Sequence, residues 1–267
     1  ECALWRDILY GSNKQLFWYC DPYMRAGVNM DQGGAIFDLR PYVAKLYWPV
    51  GIGTPHVQDA SYPFLMQEKY RAGYFTHYAG EGTIRSAKIC HNGEEVDLCL
   101  CRTKAHFSQE GKNRILTLDP VEIAFSDMTV KLQTVITFAE GESSIRIDRN
   151  ILEMSDPDAQ VTINEYMVGC YGTTEYTEDM TSLTLGVDGE KIDYAYRCRE
   201  LSGENAGEVW CKLPPIETRV AMTCQGRDKT GYIKEGYAFS PMFTLGYTGT
   251  LKEKEGFTTW LKLQKAD

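Results

Sequence analysis

Residues 130–171, VKLQTVITFAEGESSIRIDRNILEMSDPDAQVTINEYMVGCY, decide the fold. Three strand-like runs, VKLQTVITF, IRIDRNIL and QVTINEYMVGCY, are separated by the polar segments AEGESS and EMSDPDA. In the first run Val130, Leu132, Thr134, Ile136 and Phe138 share one face, with Lys131, Gln133 and Thr137 opposite. In the second, Ile145, Ile147 and Ile151 share a face against Arg146, Asp148 and Asn150. Period-two alternation marks a half-buried antiparallel strand. Gly141, Ser143, Asp156 and Pro157 between the runs are turn formers for backbone reasons. The stretch predicts a β-meander with one face on a core.

The third run carries the residue of most chemical interest. Val161, Ile163, Glu165 and Met167 fall on one face, and Thr162, Asn164, Tyr166 and Val168 on the other. Glu165 is therefore in phase with the apolar side. A carboxylate in dry surroundings has its charged form disfavoured unless a cation or donors compensate. Such carboxylates are enriched at functional sites. The structural alternatives are a bulge that turns Glu165 outward, or an arginine that pairs with it structurally.

Outward from this stretch, β signals dominate. LFWYC at 16–20 and Ala35 to Leu39 read as strands, the second after a Gly33-Gly34 turn. IRSAKIC and EVDLCLCR flank His91-Asn92-Gly93-Glu94, and a second tight turn falls at Asp188-Gly189. Asn-Gly or Asp-Gly between alternating runs is a hairpin signal. RILTLD, VEIAFS, EVWCKL, RVAMTCQG, YAFSPMFTLGY and FTTWLKLQ add further strands. Residues 3–10, ALWRDILY, predict a short N-terminal helix: Leu4 with Ile8 and Trp5 with Leu9 are four apart, and Gly11 is a stop. A loop near 202–208 reads as helical or flexible. Residues 41–83 are irregular and rich in aromatics, Pro and Gly. A long loop of that kind within a compact domain is usually functional. The expectation is one all-β domain over 1–267, a large antiparallel sandwich.

Composition bounds the partners. The 267 residues carry a formal net charge of -9 and no basic cluster, which argues against nucleic acid and anionic membrane surfaces. No apolar run reaches transmembrane length. Aromatic residues make up 12% of the chain, with 17 Tyr and 5 Trp, which suits strands and flat amphipathic ligands such as sugars. The 9 cysteines are odd in number and scattered, without a CxxC. They read as reduced thiols of a cytoplasmic protein. Cys99 and Cys101 would share a face on a strand, but a second pair of metal ligands is missing, and no cofactor is expected.

Serine-triad, zinc-helix and dinucleotide signatures are absent. Acid–base chemistry by a histidine with a desolvated carboxylate remains. His56 (TPHVQD) and His77 (FTHYAG) are the candidates, in the irregular segment that also holds Arg71 and Tyr74. His91 sits in a hairpin turn, and His106 has no distinguishing neighbour.

Three segments, DQGGAIFDL, SSIRIDRNILEMSDPDAQVTINEYM and LKEKEGFTTWLKL, resemble the early turn-and-strand, the central run and the closing strand of galactose-mutarotase-like proteins, the fold of aldose 1-epimerases. The resemblance implies a β-supersandwich that interconverts sugar anomers with a His as general acid and a Glu as general base, without a metal. His77 resembles the first active-site histidine. Glu165 before Tyr166 stands where the family has a second histidine before an aromatic. Glu235 is the one carboxylate that YIKEGYAFSPMF offers near the place of the late base. On this likeness Glu165 and His77 are the candidate catalytic residues, and His56, Arg71, Tyr166 and Glu235 the candidate binding residues. The partner is a small carbohydrate. The same fold also serves lyases and glycoside hydrolases, and the alternative from another class is a non-catalytic carbohydrate-binding or structural β-sandwich subunit.

Overall fold

The computed structural model describes residues 2–8, 15–41, 85–170, 184–193, 199–213, 218–235 and 242–265. Among them lie twenty strands: β1 (Ala3–Ile8), β2 (Gln15–Cys20), β3 (Met24–Asn29), β4 (Ala35–Pro41), β5 (Arg85–His91), β6 (Glu94–Asp97), β7 (Ala105–Glu110), β8 (Asn113–Leu118), β9 (Val121–Ala124), β10 (Thr129–Ala139), β11 (Ser144–Met154), β12 (Val161–Cys170), β13 (Thr184–Val187), β14 (Glu190–Ile192), β15 (Glu200–Glu204), β16 (Glu208–Leu213), β17 (Thr218–Gln225), β18 (Arg227–Glu235), β19 (Met242–Leu251) and β20 (Gly256–Lys265). They form two ten-stranded sheets. Sheet I runs β1-β2-β3-β4-β5-β12-β19-β18-β15, with β6 on β5. Sheet II runs β14-β13-β16-β17-β20-β11-β10-β8-β7, with β9 on β10. The fold is a large antiparallel β-sandwich, as the alternation predicts.

The alternation is realised in β10, where Val130, Leu132, Thr134, Ile136 and Phe138 are buried and the residues between them are not. On β11 the face of Ile145, Ile147 and Ile151 meets it from the neighbouring strand. Between the sheets one apolar cluster forms, in which Tyr19 of β2 stacks on Phe138 of β10 with centroids 4.5 Å apart. A buried aspartate ties the turns at one end. Asp21 accepts hydrogen bonds from the Tyr19 hydroxyl (2.8 Å) and from the backbone N–H groups of Tyr23, Met24 and Gly141. The β5–β6 turn has Asn92 at φ 48° and Gly93 at φ 84°, both positive as a two-residue hairpin requires.

Four expectations are corrected. The predicted N-terminal helix is strand β1, paired with β2 from Ala3 to Ile8; six residues of ladder outweigh the four-residue spacing of Leu4 and Ile8. The three runs do not form a meander within one sheet. β10 and β11 are neighbours in sheet II, but the chain crosses at 155–160 and β12 enters sheet I between β5 and β19. The segment 202–208 is the end of β15, a turn, and the start of β16. Cys99 lies on a 3-10 turn, Leu98–Leu100, and not on a strand with Cys101.

Candidate functional site

The crossover of β12 decides the surroundings of Glu165. Its inward residues Val161, Ile163 and Met167 pack into the core, and Glu165 goes in with them at 0% exposure. Across the interface on β11, Arg149 is in phase with Ile145, Ile147 and Ile151 and is 1% exposed. Its Nε donates to Glu165 Oε2 at 2.9 Å, and its Nη1 donates to Thr134 Oγ1 of β10 at 2.8 Å. The pair thus bridges the two sheets. A buried charge without a partner is very costly, and here each charge compensates the other. Arg149 is a residue the sequence reading passed over, although its phase with three isoleucines marks it as inward-facing.

The other side of β12 faces away from the sandwich. Asn164, Tyr166 and Val168 point outward there, beside Ser86 of β5, Thr244, Gly246 and Thr248 of β19, and Tyr232 of β18. An outward sheet face is ordinarily wet, but Ser86 is 1% exposed and Tyr166 7%. The Tyr232 hydroxyl donates to Asn164 Oδ1 at 2.8 Å, reaching across β19. Gly246 makes that reach possible: a Cβ there would lie 2.8 Å from the Tyr232 hydroxyl oxygen and 2.5 Å from the Glu165 carbonyl oxygen. Burial pushes the Tyr232 hydroxyl up to about 12, and the hydrogen bond to Asn164 opposes that shift. On the same face the Cys99 thiol donates to Ser86 Oγ at 2.9 Å. The result is a largely dry patch of the sheet face carrying a carboxamide and two tyrosines, groups whose polar atoms can hydrogen-bond hydroxyls.

Of the sequence-derived site residues, Tyr166 lies on this outward surface and Glu165, its chain neighbour, faces the core. Glu235 is the last residue of β18, opposite Phe243 in the register. His77, His56 and Arg71 lie outside the described residues. Asn164 and Tyr232, 68 residues apart, carry no local signal that would have joined them. Among the described residues no group of three His, Cys, Asp or Glu side chains is placed to hold a metal ion. Among the described residues the thiols of Cys2, Cys90, Cys101, Cys211 and Cys224 are free. Burial raises the pKa of Cys101, Cys211 and Cys224, the last to about 12, which makes them poor nucleophiles.

No family model matches the chain, and no curated protein matches its sequence. Solved structures do match. A galactose mutarotase-like protein from Clostridium acetobutylicum aligns over 98% of this chain and 98% of its own, with TM-score 0.61 and 10% identity. A galactose mutarotase related enzyme from Lactobacillus acidophilus aligns over 94% and 98%, with TM-score 0.57 and 7% identity. The 4-alpha-glucanotransferase of Thermococcus litoralis aligns over 98% of this chain but only 39% of its own length, with TM-score 0.58 and 9% identity. The chain therefore has the galactose-mutarotase-like supersandwich fold at very low identity.

Proposed function

We propose that this chain is a carbohydrate-active protein of the aldose-epimerase type, acting as one domain over 1–267, and that it handles a small sugar on the outward face of sheet I. The observation that carries the reading is the Asn164–Tyr232 pair with Tyr166 beside it: hydrogen-bonding groups held in a partly desolvated patch of an outer sheet face. The fold shared with mutarotase-like proteins supports it. Interconverting anomers requires one proton removed from the anomeric hydroxyl and one delivered to the ring oxygen, by groups with separated pKa values. We assign proton transfer to His77, with His56, Arg71, Tyr166 and Glu235 as binding residues. Glu165 is the proposed second proton-transfer group if Arg149 releases it; with the pair closed it is a positioning residue that fixes β12 and so orients Asn164 and Tyr166. No cofactor enters this chemistry, and the odd, scattered set of 9 cysteines without a CxxC supports a cytoplasmic setting.

A second reading, sugar binding without catalysis, is favoured by the commitment of the Glu165 carboxylate to Arg149. Exchange between galactose anomers, followed by NMR with purified protein, separates the two. The first reading expects accelerated exchange that falls by roughly two to four orders of magnitude in His77→Asn. Binding without acceleration selects the second reading. Neither binding nor acceleration, across a panel of common aldoses, defeats both.

A further inference from the structure

We propose that His91 is a proton-operated latch between the two sheets, closed by Asn92 when the imidazole is neutral and by Asp127 when it is charged. His91 ends β5, and its ring sits where three segments meet. These are its own hairpin turn, the turn between β9 and β10, and residue 160 just before β12. Nδ1 lies 3.0 Å from the carbonyl oxygen of Gln160. A carbonyl only accepts, so Nδ1 carries hydrogen in both charge states. In the neutral ring Nε2 is then an acceptor, and the Asn92 carboxamide supplies the donor at 3.1 Å. The second hydrogen of the same Nδ2 goes to Asp127 Oδ2 at 3.0 Å. Neutral His91 is thus linked to Asp127 through Asn92.

Protonation reverses the polarity of Nε2. It becomes a donor, so the Asn92 donor no longer fits, and Asp127 Oδ1 stands 3.3 Å away to receive it. The swap needs no movement of the backbone. The imidazole is the side chain whose charge ordinarily changes close to neutral pH. The ring is held for this exchange: its side chain is 11% exposed against 53% for Asp127, and it packs on Phe125 with centroids 5.6 Å apart. Among the described residues Glu94, the cross-strand partner of His91, is a further charged group of this turn, and its carboxylate is engaged by the backbone N–H and hydroxyl of Ser126. The latch joins β5 and the entry to β12 in sheet I with the β9–β10 turn of sheet II. These are strands that carry Ser86, Asn164 and Tyr166.

Two variants move in opposite directions with pH. Asn92→Gly keeps the positive-φ turn and removes the bridge, so its melting temperature falls further below wild type at pH 8 than at pH 5.5. Asp127→Asn keeps an acceptor for Asn92 and removes the charge, so its deficit is larger at pH 5.5, by about 2 °C, and shrinks in high salt. Nitrogen-15 spectra of the His91 ring are expected to show Nδ1 protonated at both pH values, with Nε2 gaining its proton on acidification. Deficits that do not change with pH, or a neutral ring protonated on Nε2, overturn the latch.

Discussion

Replacing Glu165 with Gln tests what the buried pair does. The substitution keeps shape and volume but removes the charge, and it leaves the Arg149 guanidinium, 1% exposed, facing a neutral amide. Breaking one side of a buried ion pair costs about 3–5 kcal/mol. Gln retains an oxygen that accepts from Arg149 Nε, so the lower end, about 3 kcal/mol, is expected. For a chain of this size each kcal/mol moves the melting temperature by about 2–4 °C, so the expected loss is about 6–12 °C. Urea unfolding should show a lower midpoint at an unchanged slope. The double variant Glu165→Leu with Arg149→Met removes both charges and should recover much of the loss, because well-packed apolar residues often replace a buried pair without cost. A Glu165→Gln protein that melts within a degree of wild type refutes the structural assignment. If that stable variant has also lost anomer exchange by roughly two to four orders of magnitude, Glu165 belongs to the chemistry and the pair opens during turnover.

Further expectations concern the outward face and the buried titratable groups. Gly246→Ala places a methyl against the Glu165 carbonyl and the Tyr232 hydroxyl, and should cost about 1–3 kcal/mol in thermal unfolding and weaken sugar binding together. Cys224 and Tyr232, with ordinary values 9.0 and 10.0, are each pushed up to about 12 by burial. Both are neutral when protonated, so their contribution is whole below about pH 9 and is lost as pH rises toward 12. Tyrosinate absorbance should therefore include a cooperative step that coincides with alkaline unfolding. A thiol reagent should leave Cys211 and Cys224 untouched in the native protein, and most of the nine cysteines should react once the unreduced protein is denatured.

The strands that were legible were those with clean alternation. β10 declares its buried face residue by residue, β11 shows its apolar face of Ile145, Ile147 and Ile151 but not the burial of Asp148 and Arg149, and the Asn92-Gly93 and Asp188-Gly189 turns declare their hairpins. What period two cannot carry is the identity of the partner strand. β12 has the same alternation as its predecessors, yet it pairs with β5 and β19 in the other sheet. That crossover turned a carboxylate read on one face of a meander into one side of a bridge between sheets. β18 gives no such signal because its ladder shifts between Arg227 and Thr230, with Asp228 at φ 47°, which breaks the alternation where it would begin. β1 reads as a helix because the spacing of Leu4 and Ile8 fits one, and only the ladder to β2 decides against it. Asn164 and Tyr232 meet through a glycine on a third strand, a relation that exists only once β12, β19 and β18 are side by side.

The central claim, a sugar handled on the outward face of sheet I, is tested most directly by titrating galactose or glucose into the isotopically labelled protein and mapping the backbone amide shifts. Shifts are expected to concentrate at Asn164, Tyr166, Tyr232, Thr244 and Thr248, and to be lost in Tyr232→Phe. Shifts confined to the outward face of sheet II, around Trp210 and Trp260, would contradict it.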